Sequence, residues 1–349
     1  MKVVFFSYPA SFQNVGGGEI VLLKLKEYLE NLGITVSLFD MWRDKIEDFD
    51  ILHIFGSVRD CLGLMRVAKA RGVKVAISPI FWSSFQRALY THESMKEKTD
   101  LFFRHLTKFM LPTFPSARRS MLIEADILFP NSEMEKKQLG RLFWVPMDKM
   151  RVIYNAADAK FCDACPEPFF EQFGREPFIL SVGRIEPRKN QLNLIRAVKL
   201  FKFPLIFIGN PVSGYETYYR ACRNEAPPYV KFFPGMKHGD LLLQSAYSAS
   251  ELFVLPAWFE TPGLAALEAA LAGTRVAVTR GGSTVEYFGN RVEYFEPKSP
   301  VQIAAAIQKS IKKPKMPYLR DHVSRCFTWD KIADETLSAY REVIQKKMI

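Results

Sequence analysis

Short apolar runs alternate with amphipathic helical patterns along almost the whole chain, and this alternation constrains the fold more than any other feature. The first helical pattern has leucines at spacings of three and four and ends at Gly33. Strands separated by helices predict parallel sheets that are covered by helices on both faces. The predicted strands are 3–7, 34–39, 51–55, 73–77, 125–129, 151–154, 178–182, 205–209, 230–233, 252–255, 275–279 and 292–295.

The alternation stops once and then restarts, which predicts two domains. Residues 158–177 contain three prolines and little periodicity, so we place the domain junction there. A length of 349 residues also fits two domains of ordinary size. We therefore expect an α/β fold of two Rossmann-like domains that face a central cleft. The first domain is predicted at 1–160 and the second at 175–326.

Composition and simple motifs exclude several classes of protein. The 48 lysines and arginines outnumber the 37 acidic residues, and the formal charge of +11 favours nucleic acid, acidic lipids or phosphorylated substrates as partners. No nucleic-acid recognition module, GxGxxG or GxxxxGK[ST] occurs, which argues against nucleic-acid binding, dehydrogenases and P-loop enzymes.

Several further features indicate a cytoplasmic protein. The amino terminus lacks a secretory apolar region, and no apolar run is long enough to span a membrane. The five cysteines indicate free thiols in a reducing compartment, and the lone pair Cys162 and Cys165 does not predict a zinc site.

The first candidate site follows the predicted strand 178–182. That strand leads into Gly183 and Arg184, and Lys189 lies at the start of the next helix. An arginine fork and a lysine point charge around one turn can clamp a diphosphate. Two solvated loop cations are the alternative interpretation.

The second candidate site lies after the predicted strand 252–255. Thr261 is expected to cap a helix, with Pro262 in its first position. Gly263 would let a ligand approach the helix amides, where the helix dipole favours an anion.

Two glutamates accompany this helix start. Glu268 is the only charged residue between Thr261 and Gly273, and a carboxylate buried there needs a hydrogen-bond partner. A ribose diol could donate to it twice, and backbone donors around a purely structural helix are the alternative. Glu260 lies just before the expected cap, at the mouth of the cleft.

Two glycine-rich turns are weaker signals. Gly281 and Gly282, with Glu286 beyond them, follow a predicted strand and permit close approach of a ligand. A second turn opens the first helix and could offer backbone amides to a phosphate or an acceptor. An ordinary tight turn and a flexible loop are the respective alternatives. The glycines of the second turn are Gly16, Gly17 and Gly18.

Together these motifs resemble glycosyltransferase family 4. The most specific part is the pair Glu260 and Glu268, separated by seven residues, together with Gly183-Arg184 and Lys189. The similarity extends over nearly the whole chain and is densest at 178–296. Further matching segments are 131–133, 152–158, 281–286 and 327–330.

The resemblance implies a GT-B fold that transfers a sugar from a nucleotide-sugar with retention at the anomeric carbon. No metal or other cofactor is expected. The first domain would bind the acceptor, the second would bind the nucleotide-sugar, and 327–349 would form a helix that packs back on the first domain.

The resemblance also assigns roles to single residues. Arg184 and Lys189 would neutralise the leaving diphosphate, Glu268 would hold the ribose, and Glu260 would hold the hexose hydroxyls. Together with Glu260, the two cations are the expected catalytic residues. The expected donor-binding residues are Gly183, Arg184, Lys189, Glu260, Thr261, Pro262, Gly263, Leu264 and Glu268.

One departure concerns histidine. The family often carries a histidine after the fourth strand of the first domain, and residues 78–82 contain none. His53, at the end of the third predicted strand, either faces the cleft or belongs to the core, and we favour the core. No general base is assigned.

The stretch 59–119 is basic and aromatic. It holds 12 lysines or arginines against four acidic residues. We expect it to rest on an anionic membrane surface, at the inner face of the cell membrane, and to take in a lipid-linked or phosphorylated acceptor. A solvated face with aromatic residues in the core is the alternative. The interleaved apolar residues are Phe81, Trp82, Phe85, Phe102, Phe103, Phe109, Met110 and Phe114.

The predicted function is that of a retaining glycosyltransferase. It would move a hexose from a UDP- or GDP-sugar to a glycan or lipid-linked acceptor in the synthesis of surface polysaccharide or glycolipid. Two alternatives remain open: a nucleotide-sugar epimerase of the same architecture, and a non-catalytic protein that binds a nucleotide-sugar.

Overall fold

A computed structural model describes residues 1–13, 16–83, 95–237, 239–261, 263–315 and 317–345. These residues form two compact units. Unit 1 contains the described residues of 1–83, 103–156 and 329–345, and unit 2 contains those of 95–102 and 157–328. Each unit has its own parallel sheet.

The strands and helices alternate as the sequence predicts. The strands are β1 (Lys2–Phe6), β2 (Thr35–Leu38), β3 (Ile51–Phe55), β4 (Lys74–Ser78), β5 (Ile127–Leu128), β6 (Ile179–Val182), β7 (Leu205–Ile208), β8 (Val230–Phe233), β9 (Leu252–Leu255), β10 (Arg275–Thr279) and β11 (Glu293–Phe295). The helices are α1 (Gly17–Asn31), α2 (Leu62–Ala70), α3 (Met95–Met110), α4 (Ala117–Glu124), α5 (Glu133–Phe143), α6 (Glu167–Phe173), α7 (Gln191–Lys199), α8 (Glu216–Glu225), α9 (Leu241–Ala249), α10 (Leu264–Leu271), α11 (Thr284–Phe288), α12 (Pro300–Lys312), α13 (Tyr318–Cys326) and α14 (Trp329–Gln345).

The sheet of unit 1 has the strand order β2-β1-β3-β4-β5, and all its pairs are parallel. All of β3 is buried, as expected for a central strand that is covered on both faces. Helix α1 buries Leu22, Leu25 and Leu29 against this sheet, while Gly33 with a φ of +78° ends the helix.

The last helix of the chain belongs to unit 1. Helix α14 packs on α1, and its Trp329, Ile332 and Tyr340 are buried in the same core as the leucines of α1. Residues that are last in the sequence thus complete the core of the first unit.

The sheet of unit 2 has the order β11-β10-β9-β6-β7-β8 and is parallel throughout. Its strands β7 and β9 are buried along their whole length. This order places β6 and β9 side by side, with chain connections running outward in both directions. Open sheets of this kind bind ligands beyond the carboxyl ends of such central strands.

One sequence expectation about an element is wrong. Residues 151–154 do not form a strand: they run beside β5 through hydrogen bonds from Arg151 to Leu128 and from Ile153 to Pro130, both 3.0 Å. Because β5 has only two residues, the hydrogen bonds between the two segments do not extend into a regular parallel ladder.

The domain junction was placed at 158–177, and the main segment of unit 2 begins beside it, at residue 157. This segment contains α6, and its Phe161 and Phe169 are buried within unit 2. Its first two prolines lie at the start of α6, where a missing N–H costs nothing.

Across the described residues, no helix has both the length and the apolar composition of a membrane span.

Candidate active site

The candidate site of unit 2 starts where β6 ends. Gly183 has a φ of +145°, and its N–H donates to the carbonyl of Ile208 at 3.0 Å. A Cβ on Gly209 would overlap the carbonyl oxygen of Gly183, so only glycine permits this approach of the two strand ends.

A short 3-10 turn, Pro187–Lys189, carries the cations of the site. Asn190 follows in the left-handed region at a φ of +58°. Its side-chain amide donates to the carbonyls of Pro256 at 2.9 Å and Pro297 at 2.8 Å. The turn is therefore fixed against the segments that follow β9 and β11. This fixing brings Arg188 and Lys189 to Glu260.

Glu260 is the centre of a buried group of charges. Only 6% of it is exposed, and its Oε1 accepts hydrogen bonds from Lys189 Nζ and, at 3.2 Å, from Arg188 Nη1. Arg188 also donates to Glu186 Oε1 at 3.0 Å, and Arg184 Nη2 lies 3.6 Å from the same oxygen. We call these five residues the Glu260 cluster. They bring three cations together with two carboxylates.

Electrostatics explain how the cluster tolerates burial. Burial alone would raise the pKa of Glu260, but Lys189 and Arg188 more than compensate and lower it. Burial also lowers the pKa of Lys189, and the attraction of Glu260 opposes this effect. Arg184 is the most exposed cation of the cluster, with 41% of its side chain accessible. A ligand anion would therefore meet Arg184 first.

The structure brings predicted residues together and adds two that the sequence analysis missed. Arg184, Lys189 and Glu260 share one cluster through the contacts above. Arg188 and Glu186 were not predicted. The basic pair Arg188-Lys189 was a signal for the former, but only the 3-10 turn directs both side chains to one carboxylate.

The glycine pair after β10 contacts backbone of this chain. A Cβ on Gly282 would overlap the carbonyl of Glu260, and a Cβ on Gly281 would overlap that of Trp258. Glu260 N–H donates to Gly281 O at 3.0 Å, and Ser283 N–H donates to Glu260 O at 2.9 Å. The glycine pair does permit a close approach, as predicted, but the group that approaches is the backbone of Glu260. Glu286 lies half-buried in the first turn of α11 beyond it.

The start of α10 differs from the expectation. Thr261 is not the cap: the N-cap is Gly263, with a φ of +85°, and Leu264 is the first helical residue. A Cβ on Gly263 would overlap Leu255 Cδ2, so the position needs glycine for its conformation and for its space. Pro262 lies outside the described residues.

Glu268 lies within α10 and is 4% exposed. The hydroxyl of Tyr247 donates to its Oε2 at 2.7 Å. The predicted need for a partner is thus met in part by a side chain of α9. Tyr247 had not been singled out by the sequence analysis.

Gly16, Gly17 and Gly18 lie at the start of helix α1 and not in a loop before it. Gly16 caps α1, and its N–H donates to Glu19 Oε2 at 2.8 Å. Gly17 and Gly18 are already helical. The expectation of a glycine loop through residue 18 is therefore wrong, although the amides of a first helical turn keep no intrahelical acceptor.

His53 is a core histidine, as the sequence analysis favoured, and it is not the cleft residue of the alternative interpretation. It is 0% exposed, with Nδ1 2.5 Å from the Tyr340 hydroxyl and Nε2 2.9 Å from Ser78 Oγ. Burial lowers its pKa to about 3, so the imidazole is neutral at ordinary pH.

Among the described residues, no group of three or more histidines, cysteines, aspartates or glutamates is arranged to hold a metal ion.

Known proteins resemble this chain in the sequence of unit 2 and in the fold of the whole chain. Residues 167–320 match the family Glycosyl transferases group 1. The chain is 29% identical over 231 residues to an uncharacterized glycosyltransferase of Methanocaldococcus jannaschii, covering 60% of this chain and 58% of that protein. It is 25% identical over 241 residues to O-antigen chain mannosyltransferase B of Escherichia coli, covering 63% and 61%. The chain thus spans less than two thirds of the length of these relatives.

Solved structures resemble the whole chain. Sucrose-phosphate synthase of Thermosynechococcus elongatus matches with a TM-score of 0.77 and 18% identity, over 99% of both chains. Anabaena HepE in complex with UDP matches with a TM-score of 0.73 and 16% identity, over 97% of this chain and 100% of that one. The two parallel-sheet Rossmann-like units are those of GT-B structures. The match to Glycosyl transferases group 1 thus falls on unit 2, in a chain whose two units have the GT-B fold.

Proposed function

We propose that this protein is a retaining glycosyltransferase. It transfers a hexosyl group from a UDP- or GDP-sugar to a glycan or lipid-linked acceptor. The Glu260 cluster is the observation that carries the proposal, because it offers both cations for a diphosphate and a carboxylate for sugar hydroxyls. It lies beyond the carboxyl ends of β6 and β9, where an open parallel sheet binds its ligand.

The relatives support the substrate class. One is a mannosyltransferase for O-antigen chains, and several are D-inositol 3-phosphate glycosyltransferases. HepE has been crystallised with UDP and with UDP-glucose. Synthesis of a surface polysaccharide or glycolipid is the role that fits these names, and the identity of the hexose is not part of the proposal.

The chemistry follows from the charges. As the bond between the anomeric carbon and the diphosphate breaks, negative charge grows on the leaving oxygens. Arg184 and Lys189 would stabilise that charge, and no metal ion is needed for this role. Because Arg188 also contacts Glu260, the carboxylate would keep one cationic partner when Lys189 turns to the phosphates. Glu260 would then bind the hydroxyls of the hexose.

The start of α10 and Glu268 would complete the donor site. The amides that follow Gly263 lie at the positive end of a helix and suit a phosphate or a sugar oxygen. Glu268 would accept hydrogen bonds from the ribose while it keeps its bond from Tyr247, since a carboxylate has several acceptor positions.

A membrane-bound acceptor is part of the proposal. Helix α3 has no buried residue, and Phe103, Met110 and Phe114 are each more than half exposed. Arg104 and Lys108 flank Phe103 and Met110 along the helix. The alternative of aromatic residues in the core fits Phe81, which is 6% exposed, but not these three. Phe85 lies outside the described residues.

Substitution of single cations tests the catalytic assignment. We expect Arg184→Ala and Lys189→Ala to lower kcat roughly 100- to 1,000-fold while KM for the donor changes much less, because leaving-group charge develops only in the transition state. Initial rates of donor turnover at varied nucleotide-sugar concentration measure both constants.

Arg175→Ala is the matched control for this test. Arg175 is an exposed arginine of unit 2 that pairs with Glu167 at 3.0 Å, outside the Glu260 cluster. Its replacement should leave both constants within about twofold. An unchanged kcat with a raised KM in Lys189→Ala would show that the lysine only binds the donor.

Product analysis separates the proposal from its alternatives. A transferase lengthens a lipid-linked acceptor by one hexose with the anomeric configuration of the donor, which NMR of the product reads directly. An epimerase would change the donor without any acceptor. A binding protein would show a donor-dependent rise in Tm and no product with either.

A further inference from the structure

A pocket of unit 2 lies at the amino-terminal ends of β10 and β11, the opposite end of these strands from the Glu260 cluster. Its walls come from the start of β10, the entry to β11, the last turn of α12 and the first turn of α13. The pocket has a cavity volume of about 40 Å³ and opens to solvent. Since β10 starts at this pocket and leads towards Gly281, the two regions are separated by roughly 15 Å of strand.

The charge of this pocket is strongly positive. Among its lining side chains Glu293 is the one carboxylate, against five cations. Lys313 pairs with Glu293, and Arg275 pairs with Glu251 at 2.8 Å. Within the described part of the chain, no carboxylate lies at salt-bridge distance from Arg291 or Lys315. The five cations are Arg275, Arg291, Lys313, Lys315 and Arg320.

Lys315 shows the effect of this surplus. Its ammonium donates to the carbonyl of Ser250 at 3.1 Å. Partial burial of the ammonium lowers its pKa, the charge of Arg275 lowers it further, and Glu251 opposes both effects. A bound anion beside the Lys315 ammonium would favour its charged form, because it would add negative charge next to a partly buried cation.

Ser310 provides an independent observation. The side chain lines the pocket and is 3% exposed, and its hydroxyl has no hydrogen-bond partner in the described structure. A buried hydroxyl without a partner costs free energy, so such groups in native proteins call for an explanation. A ligand oxygen in the pocket would accept its hydrogen bond.

The first turn of α13 adds backbone donors. Tyr318, Leu319 and Arg320 all line the pocket, and the amides of a first helical turn have no intrahelical acceptor. The positive end of the helix dipole favours an anion there. Asp321 lies in the same turn and opposes this effect, but it does not line the pocket.

We propose that this pocket binds a phosphate group, either inorganic phosphate or the terminal phosphate of a phosphomonoester. A tetrahedral oxyanion has enough acceptor positions for the arginine fork of Arg291, the ammonium of Lys315, the Ser310 hydroxyl and the α13 amides together. The site is separate from the proposed donor site and goes beyond the proposed function.

Titration calorimetry with inorganic phosphate at constant ionic strength tests the site. The full-length protein should bind phosphate, and Arg291→Gln combined with Lys315→Gln should weaken binding roughly tenfold or more, because each charged hydrogen bond contributes substantially. Ser310→Ala should weaken it by a smaller factor, and it serves as the conservative variant should the double variant fail to fold.

Two controls make the result specific. Lys231→Gln removes one exposed charge of β8 outside the pocket and should leave phosphate binding unchanged. Lys189→Ala should also leave it unchanged, since Lys189 belongs to the proposed donor site. Phosphate binding that is lost in Lys189→Ala and kept in the pocket variants, or no binding to the wild-type protein, would overturn the proposal.

Two sources of the phosphate group can be distinguished. Tighter binding of glucose 6-phosphate than of inorganic phosphate would indicate a soluble phosphomonoester. Sedimentation with phosphatidic acid vesicles that exceeds sedimentation with phosphatidylglycerol vesicles, with the excess lost in the pocket variants, would indicate a lipid headgroup. Either result supports the site.

Discussion

Glu260, Glu135 and His53 show three different ways to offset the free-energy cost of burying an ionisable side chain. Glu260 is compensated by opposite charge. Glu135 accepts backbone hydrogen bonds from Phe81 and Asn131, both 2.6 Å, yet burial still raises its pKa to about 7. His53 is compensated by remaining neutral between two hydroxyls. Because Lys189 and Arg188 keep Glu260 charged, it can accept hydrogen bonds from a ligand, and the functional proposal rests on it.

His53 predicts a pH dependence of stability. Its pKa is about 3 in the folded protein and about 6.5 when unfolded, so the unfolded chain takes up the proton first as the pH falls. The contribution of the neutral imidazole is fully present above pH 6.5 and decreases below it, by about 2 kcal/mol at pH 5. We therefore expect the stability advantage of wild type over His53→Gln to shrink by about that amount between pH 7 and pH 5.

Urea unfolding of both proteins at the two pH values measures this difference. Glu135 titrates in the opposite sense, since a raised pKa of a carboxyl group adds stability as the pH falls from 7 towards 4.5. Its effect is common to both proteins and cancels in the comparison. An advantage that is equal at the two pH values would contradict the burial of His53.

At the scale of elements, glycines decide how closely segments approach the site. Gly209, Gly263 and Gly282 each occupy a position where a Cβ would overlap another part of the chain. Gly282 matters most, because the atom it would meet is the carbonyl oxygen of Glu260. The backbone of the cluster is thus set by the loop after β10 and by the loop after β9.

Gly282→Ala should reduce both stability and activity. Its φ of +99° and the overlap with Glu260 together predict a loss of about 2–5 kcal/mol. Gly174→Ala is the control, because its φ of +88° is similar and the space around it is open. That variant should lose about 1–2 kcal/mol and keep its activity. Urea unfolding and donor turnover measure the two effects, and equal losses in both variants would rule out the overlap as the cause.

At the scale of the whole molecule, the surface of α3 and the segment that follows it predicts membrane binding. Met110 is 65% exposed and Phe114 is 59% exposed. We expect the protein to sediment with phosphatidylglycerol vesicles at low salt and to be released at high salt, because surface charge is screened there. Met110→Ser combined with Phe114→Ser should weaken binding about tenfold, since these side chains would no longer enter the interface.

Met147→Ser combined with Trp42→Ser is the control for this experiment. Both side chains are exposed and lie outside the stretch 59–119. Their replacement should leave sedimentation unchanged. Equal sedimentation of all three proteins, or none with the wild type, would remove the membrane from the proposed function while leaving the transferase proposal intact.

The sequence by itself determined the fold class and most strands, because the period of apolar residues is a local property that each segment carries alone. It also determined which residues to examine around Gly183 and Glu260. It could not determine that 158–177 is packed, since helix starts and linkers share prolines. At His53 it favoured the core over the cleft, but it could not name Tyr340 and Ser78 as the partners.

Only the tertiary structure decided which side chains contact each other at the site. Arg188 reaches Glu260 from 72 positions away in the sequence, and Tyr247 reaches Glu268 from a different helix. The pocket of Arg291, Lys315 and Ser310 likewise joins segments that carry no common pattern. Such partners depend on how strands order and helices pack, and therefore on long-range burial of apolar surface, which no single stretch of sequence encodes.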